Sequence, residues 1–279
     1  MGYFNYDGKI YKNGTDLISI NSRGLRFGDG LFETMKSSNN IFQFADDHFE
    51  RLWKGMNVLQ FKIPVHLTAK GLQQQIQELL NRNGHNSIAR IRLTVFRGDG
   101  GLYDNINHLP HYLIQTWPLP DDTGKWLSNG LLLGIYNDVK KSCDILSNHK
   151  HNNFLPYAMA ALHAKKQKWN DAILLNNQGR ICDTTVANIF LIKENVIYTP
   201  SLGEGCIAGV MRKNLLQQFS KDKLPFVEGE ITIENLEDAD EVFLSNSIHN
   251  IRWVQSVGDK KYDNKYTQKI FSSFHSTIS

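Results

Sequence analysis

Pro118 and Pro120 stand two residues apart in Trp117-Pro118-Leu119-Pro120-Asp121-Asp122-Thr123-Gly124, and neither a continuous helix nor a central strand can run through them. Proline offers no amide donor and fixes its own φ, so a backbone ladder stops where two of them fall together. The apolar run Tyr112 to Thr116 just before reads as a strand ending there, and the polar residues after it read as a linker. The break divides the chain into a smaller N-terminal domain, residues 1–117, a linker, residues 118–124, and a larger C-terminal domain, residues 125–279. Both pieces are of ordinary domain size and long enough to bury a core.

Periodicity on both sides of the break mixes strands and helices irregularly, which points to an α+β fold rather than a doubly wound parallel sheet. In the first piece Ile41-Phe42-Gln43-Phe44 alternates like a strand. Residues 46–59 carry Phe49, Leu52, Trp53 and Met56 at helical spacing, with Asp46 or Asp47 as N-cap, and residues 67–81 form a second amphipathic helix. Strands at 89–96 and 111–116 flank the glycine-rich loop Arg97-Gly98-Asp99-Gly100-Gly101. In the second piece Pro156 suits the first turn of a helix over 157–168, and 172–175 is a strand. Residues 186–192 and 196–198 form a hairpin about Lys193-Glu194-Asn195. A helix follows over 210–219, then strands over 226–231 and 241–244.

Composition excludes several classes. The net charge of +3 is spread along the chain, which argues against nucleic acid or an anionic membrane as partner. Three cysteines without CxxC spacing predict neither a disulfide scaffold nor a zinc site, and suit a reducing cytoplasm. His149 and His151 flank Lys150, but no Cys, Asp or Glu stands at ligand spacing, so no metal is expected. The N-terminal residues lack the apolar segment of a signal peptide, and no window is apolar enough for a membrane helix.

Lys150 and Asp183 carry the chemistry. Lys150 lies in the polar run Ser147-Asn148-His149-Lys150-His151-Asn152-Asn153-Phe154-Leu155, ahead of a helix. Asp183 opens Asp183-Thr184-Thr185-Val186-Ala187-Asn188-Ile189-Phe190. A lysine amine able to form a Schiff base, and an acid able to hold a pyridine nitrogen protonated, are the two protein groups that pyridoxal phosphate chemistry needs. Each also has a plain alternative. Most lysines are solvated, and Asp183 could cap a turn. Gly209-Val210-Met211-Arg212 opens a helix whose free amides make an anion site, as every helix start does. Arg51, in His48-Phe49-Glu50-Arg51-Leu52, either reaches a phosphate with its guanidinium or pairs with Asp47 on the surface.

Taken in order, these segments resemble the class IV aminotransferase family, the fold type IV pyridoxal phosphate enzymes. The likeness runs from Arg23 to Thr34, through His48 to Leu52, the Lys150 segment and Asp183 to Phe190. It continues through Tyr198-Thr199-Pro200 and Gly209 to Arg212, and ends at Asp240-Glu241-Val242-Phe243-Leu244-Ser245-Asn246-Ser247. It implies two α/β domains with pyridoxal 5′-phosphate between them, and a homodimer whose partner contributes a loop. By the same resemblance Lys150 carries the cofactor and shuttles the proton, while Arg51, the amides of Val210 and Met211, and the turn at Asn246-Ser247 hold the phosphate. Position 183 would face the ring nitrogen, with aspartate where the family normally has glutamate. Phe32 and the loop from Arg97 to Tyr103 would line the substrate side.

The family includes transaminases and lyases that act on small molecules. Lys150-His151-Asn152-Asn153-Phe154-Leu155 resembles the lysine segment of the 4-amino-4-deoxychorismate lyases, which form 4-aminobenzoate and pyruvate. Many family transaminases of the branched-chain or D-amino-acid type carry a tyrosine where Leu155 stands. The loop Arg97 to Gly101 is similar to that of the lyases, except that Leu102 replaces its second arginine. The expected activity is therefore the lyase, with an amino-acid transaminase as the alternative, and a cofactor-binding protein without catalysis as a third reading.

Overall fold

The computed structural model describes residues 2–103 and 106–278. Its chain forms two compact units, one of Met1–Thr123 with His149–Asn153, the other of Gly124–Asn148 with Phe154–Ser279. Lys150, expected in the larger C-terminal domain, thus packs with the N-terminal unit.

In the first unit the strands are β1 (Tyr3–Tyr6), β2 (Lys9–Lys12), β3 (Gly30–Ser38), β4 (Ile41–Phe42), β5 (Ile88–Arg97) and β6 (Pro110–Pro118). They form one antiparallel sheet in the order β2-β1-β6-β5-β3-β4. The helices are α1 (Arg23–Phe27), α2 (Ala45–Val58) and α3 (Ala69–Asn83). Alternation along the strands turns Leu31, Met35, Ile91, Leu93, Val95 and Ile114 to one face, where they meet Phe49, Leu52 and Met56 of α2 and Leu72, Ile76 and Leu79 of α3. Each such side chain contributes roughly 1.5–3 kcal/mol on burial, far more than any surface pair, so this stripe orients both helices. Thr68 caps α3, its hydroxyl accepting from Gly71 N.

Two local expectations need correction. The N-cap of α2 is Phe44, not Asp46 or Asp47; both aspartates lie in the first turn, where the helix dipole favours them. The strand expected over 41–44 stops at Phe42, because Phe44 turns to φ 54° to start the helix.

In the second unit the strands are β7 (Leu131–Lys141), β8 (Asp171–Asn176), β9 (Ile181–Thr184), β10 (Asn188–Lys193), β11 (Val196–Pro200), β12 (Phe226–Gly229), β13 (Glu241–Asn246), β14 (Asn250–Val257) and β15 (Lys260–Lys261). The sheet order is β12-β11-β10-β13-β14-β7-β8-β9, with β15 on β14; β11 with β12, β14 with β7 and β7 with β8 run parallel. The helices are α4 (Leu155–Gln167), α5 (Val210–Lys221), α6 (Ile233–Asp238) and α7 (Lys265–Ile278). Pro156 sits in the first turn of α4, where its missing N–H costs nothing. Glu194 and Asn195, at φ 50° and 63°, make the two-residue turn between β10 and β11. Ile189, Leu191, Val242 and Leu244 fill one face of the sheet with Ile231 and Leu236. Phe190 and Phe243 stack at 4.7 Å between ring centroids, with Phe219 of α5 edge-on to Phe190. No helix among the described residues is long and apolar enough to cross a membrane.

Candidate active site

Backbone hydrogen bonds hold the Lys150 segment against β3. Phe32 N donates to Lys150 O at 2.8 Å, and Asn152 N donates to Gly30 O at 2.8 Å. Gly30 permits this approach: a Cβ there would stand 2.5 Å from Asn152 Nδ2 of the segment, as well as 2.3 Å from Val95 O of β5. The structure therefore brings Lys150 and Phe32 together, with Lys150 Nζ 4.6 Å from the centre of the buried Phe32 ring. Arg92 covers the same ring, its Cζ at 3.8 Å.

Arg51 belongs to the same unit, and it is held by Glu33 rather than left in solvent. Nε and Nη2 donate to the two oxygens of Glu33 at 2.8 and 2.6 Å, and Nδ1 of the fully buried His48 lies 2.7 Å from Glu33 Oε2. Burial works against a charged Glu33, but the Arg51 charge and the bonds from His48 and Arg51 prevail and hold its carboxyl down at about 2. His149, flanking Lys150, is lowered by burial and by the charge of Arg51. His48 and Arg51 stand one helical turn apart on α2, a spacing that puts them on one face and was open to view in the sequence. Glu33 lies in the Phe-Glu-Thr motif, yet nothing local distinguishes it from a solvated acid.

Arg97 does not present its guanidinium to a substrate. It is buried, with Nε 3.2 Å from Asp29 Oδ2, Nη1 3.1 Å from His108 Nδ1, Nη2 bonded to Leu59 O, and Cζ 4.4 Å from the Phe61 ring centre. The Nε contact is ionic only, lacking hydrogen-bond alignment. Arg23 Nε takes the same Asp29 oxygen at 2.8 Å, and its Nη1 donates to Gly101 O. Asp29, with its side chain 15% exposed, thus stands as an anion between two arginines that pin both ends of the glycine loop. Tyr103, at the loop's far side, is 98% exposed.

In the second unit Asp183 is buried on β9. Its Oδ2 receives Tyr157 Oη at 3.0 Å, Ile207 N at 3.1 Å and Lys141 Nζ at 3.1 Å, whereas Oδ1 has, among the described residues, only Lys141 at 3.3 Å. Asp183 does not cap a local turn. Lys141 and Tyr157 carried no local signal, since they arrive from β7 and α4 and meet the acid only in the fold.

The other expected residues gather at one end of this sheet. Gly209 caps α5 without a side-chain bond, leaving the amides of Val210 and Met211 at the helix start. Asn188 Nδ2 holds Ile207 O at 2.8 Å, and Asn188 pairs in register with Ser245. Asn246 and Ser247 follow directly, with Asn246 Oδ1 accepting from Ile248 N at 3.0 Å and His249 N at 2.8 Å. The hydroxyl of buried Ser245 has no hydrogen-bond partner among the described residues.

These features fit pyridoxal phosphate. A helix start beside a turn and an orphaned hydroxyl suit a phosphate, and a buried carboxylate with one under-used oxygen suits a ring N–H.

Comparison with known proteins accords with that geometry. Residues 30–257 match the family model "Amino-transferase class IV". The aminodeoxychorismate lyase of Vibrio harveyi is 26% identical over 242 residues, covering 86% of this chain and 87% of the relative. The D-alanine aminotransferase of Bacillus licheniformis is 26% identical over 266 residues, covering 90% and 87%. The branched-chain amino acid aminotransferase of Escherichia coli superposes with a TM-score of 0.87 at 20% identity, covering 100% of this chain and 94% of that one. The chain belongs to the class IV aminotransferase family and is a pyridoxal 5′-phosphate-dependent enzyme.

Proposed function

We propose that the enzyme is a 4-amino-4-deoxychorismate lyase, forming 4-aminobenzoate and pyruvate. The observation that carries this reading is the charge on the sheet face around Phe32. Alternation puts Phe32, Thr34 and Lys36 of β3 beside Thr94, Arg92 and Arg90 of β5 on the face opposite α2 and α3. Gln115 and Trp117 of β6 complete it, and no strand position on that face of β3, β5 or β6 is acidic. Arg90 lies over Trp117 with its buried Nε unpartnered. Burial lowers Lys36 to about 8, and burial together with the Arg90 charge lowers Arg92, so anionic groups here would relieve real electrostatic cost. The lyase substrate carries two carboxylates. A single amino acid with an apolar side chain carries one.

The side chains have separable roles. Arg51, the amides of Val210 and Met211, and the Asn246-Ser247 turn bind the cofactor phosphate. Asp183 Oδ1 accepts from the ring nitrogen. The bound cofactor supplies an electron sink for the carbon from which a proton leaves. Lys150 Nζ would take that proton from the ring carbon bearing the amine; the enolpyruvyl C–O bond breaks as the ring becomes aromatic, and the same proton passes from Lys150 to the departing enolpyruvate, which leaves as pyruvate. The missing phenol after Lys150 supports the same reading. Leu155 stands there, and the nearby phenol of Tyr157 is committed to Asp183.

A transaminase of the D-amino-acid or branched-chain type is the second reading, favoured by the 26% identity to the Bacillus licheniformis D-alanine aminotransferase. The test supplies pure holoenzyme with aminodeoxychorismate, and separately with D-alanine or L-leucine plus 2-oxoglutarate. Equimolar 4-aminobenzoate and pyruvate are expected. Keto-acid formation without 4-aminobenzoate would replace the lyase by the transaminase. The reading includes a homodimer, supported by the exposed apolar residues Ile20, Leu25 and Leu102. A monomeric mass in sedimentation equilibrium would contradict it.

A further inference from the structure

Lys141 is a buried lysine that the proposed chemistry does not use. Its Nζ donates to Gly205 O at 2.7 Å and to the Tyr157 hydroxyl, and lies 3.1 Å from Asp183 Oδ2. The ionisable groups facing Asp183 come from every element around it: Lys141 on β7, Tyr157 on α4, Cys182 on β9 and Cys206 ahead of α5. Burial, with the Asp183 charge added, raises the Tyr157 phenol well above its ordinary value. Burial likewise raises the Cys182 thiol and pushes that of Cys206 up to about 12. Those three are neutral near pH 7. Glu204 and Arg180, next along the chain from Gly205 and Cys182, pair with each other at 2.6 Å. The cluster therefore holds one anion and one cation.

That pairing has a consequence for anything that meets Oδ1. A carboxylate whose charge is matched by an ammonium within contact distance projects a much weaker field on its open side than an unpaired one. We propose that Lys141 is a positioning residue: bonded across both oxygens of Asp183, whose Oδ2 also takes Tyr157 and Ile207 N, it weakens the hold of that carboxylate on the ring proton of the cofactor. This rests on the reading that Asp183 faces the ring nitrogen. The shorter acid and the lysine belong together. Three donors gather on Oδ2, and the remaining oxygen is left with the longest contact.

The size follows from Coulomb's law. A unit charge roughly 5–6 Å from the ring nitrogen, at an effective dielectric of about 20, moves a pKa by about two units. Removing Lys141 should raise the ring-nitrogen midpoint by at least about one unit, and a merely structural role would not.

The experiment binds pyridoxal phosphate carrying nitrogen-15 in its ring to wild type, Lys141→Gln, Lys141→Arg and Asp183→Asn. It follows the ring-nitrogen chemical shift with pH, a readout independent of turnover. The expected result is a midpoint higher in Lys141→Gln than in wild type, with Lys141→Arg near wild type. An equal or lower midpoint in Lys141→Gln overturns the proposal. Lys141→Met, which asks for no hydrogen bond, carries the same expectation should the glutamine variant not fold. Asp183→Asn should fall below wild type; an unchanged profile there would show that Asp183 does not face the ring, which is the failure of the underlying reading rather than of the Lys141 role.

Discussion

Glu33 and Arg51 meet in a two-point bond, Nε to Oε1 at 2.8 Å and Nη2 to Oε2 at 2.6 Å, with Glu33 2% exposed. The fork geometry fixes the plane of the guanidinium as well as its position. An arginine held in this way is already ordered before any phosphate arrives, which lowers the cost of binding one.

Glu33 should make stability depend on acid. Its folded carboxyl, held at about 2, lies below the ordinary 4.5, so its contribution is fully present above about pH 4.5 and fades as pH falls toward 2. The shift corresponds to about 3 kcal/mol. Urea melts of the wild type should lose stability over that window, and Glu33→Gln, weaker at pH 7, should lose less. Parallel losses in both proteins would mean that Glu33 is not the linked group.

Arg51→Ala should weaken cofactor binding by roughly ten- to a hundredfold, since charge-assisted bonds to phosphate contribute about 1.5–3 kcal/mol net. Equilibrium dialysis measures this directly. Glu33→Gln should show a smaller loss, because the guanidinium remains but is less firmly oriented. Full retention of cofactor by Arg51→Ala would reduce Arg51 to a partner of Glu33.

Asp183→Asn should bind the cofactor yet lose most turnover, since asparagine cannot supply the charge that favours a protonated ring. Asp183→Glu should stay active. Single-turnover assays on both variants, loaded to equal occupancy, decide it. Full activity in Asp183→Asn would end the electronic role.

Arg97→Met should destabilise the first unit by about 1–3 kcal/mol, because it removes the buried guanidinium's bonds to His108 and Leu59 O and leaves the half-buried Asp29 with one of its two cations. Tyr103→Ala, at a 98% exposed position, should leave the melting temperature unchanged. If both variants melt alike, the Arg23–Asp29–Arg97 bridge does not anchor the loop.

What the sequence makes legible follows from the range of each signal. Hydrophobic alternation and helix-start chemistry are local, so β5, β6, α3, α4 and the hairpin at Glu194-Asn195 can be read within a few residues of their ends. β14 escapes notice because Asn250 to Val257 mix polar and apolar residues without a clean period, whereas α7 does carry one, with Ile270, Phe271 and Phe274 buried at helical spacing. The site shows the same limit. Lys150, Asp183, Arg51 and the start of α5 are marked by their own motifs, whereas Glu33, Lys141, Tyr157 and Arg92 gain meaning only from partners on other elements. A guanidinium beside a glycine loop suits either a ligand or an internal anion, and the Asp29 that Arg97 meets lies on a separate segment.

Lys150, half-buried, is the expected carrier of the cofactor, although Lys141 is a lysine buried more deeply. Lys141 is bound to Asp183, Tyr157 and Gly205 O, which leaves its nitrogen no freedom to act as a nucleophile. Lys150 instead stands on a backbone pinned to β3, its amine against Phe32. Borohydride reduction of the holoenzyme followed by peptide mass mapping tests this in one step. The pyridoxyl group should be found on the peptide containing Lys150 and on no other, and its recovery on Lys141 or any other lysine would contradict the account.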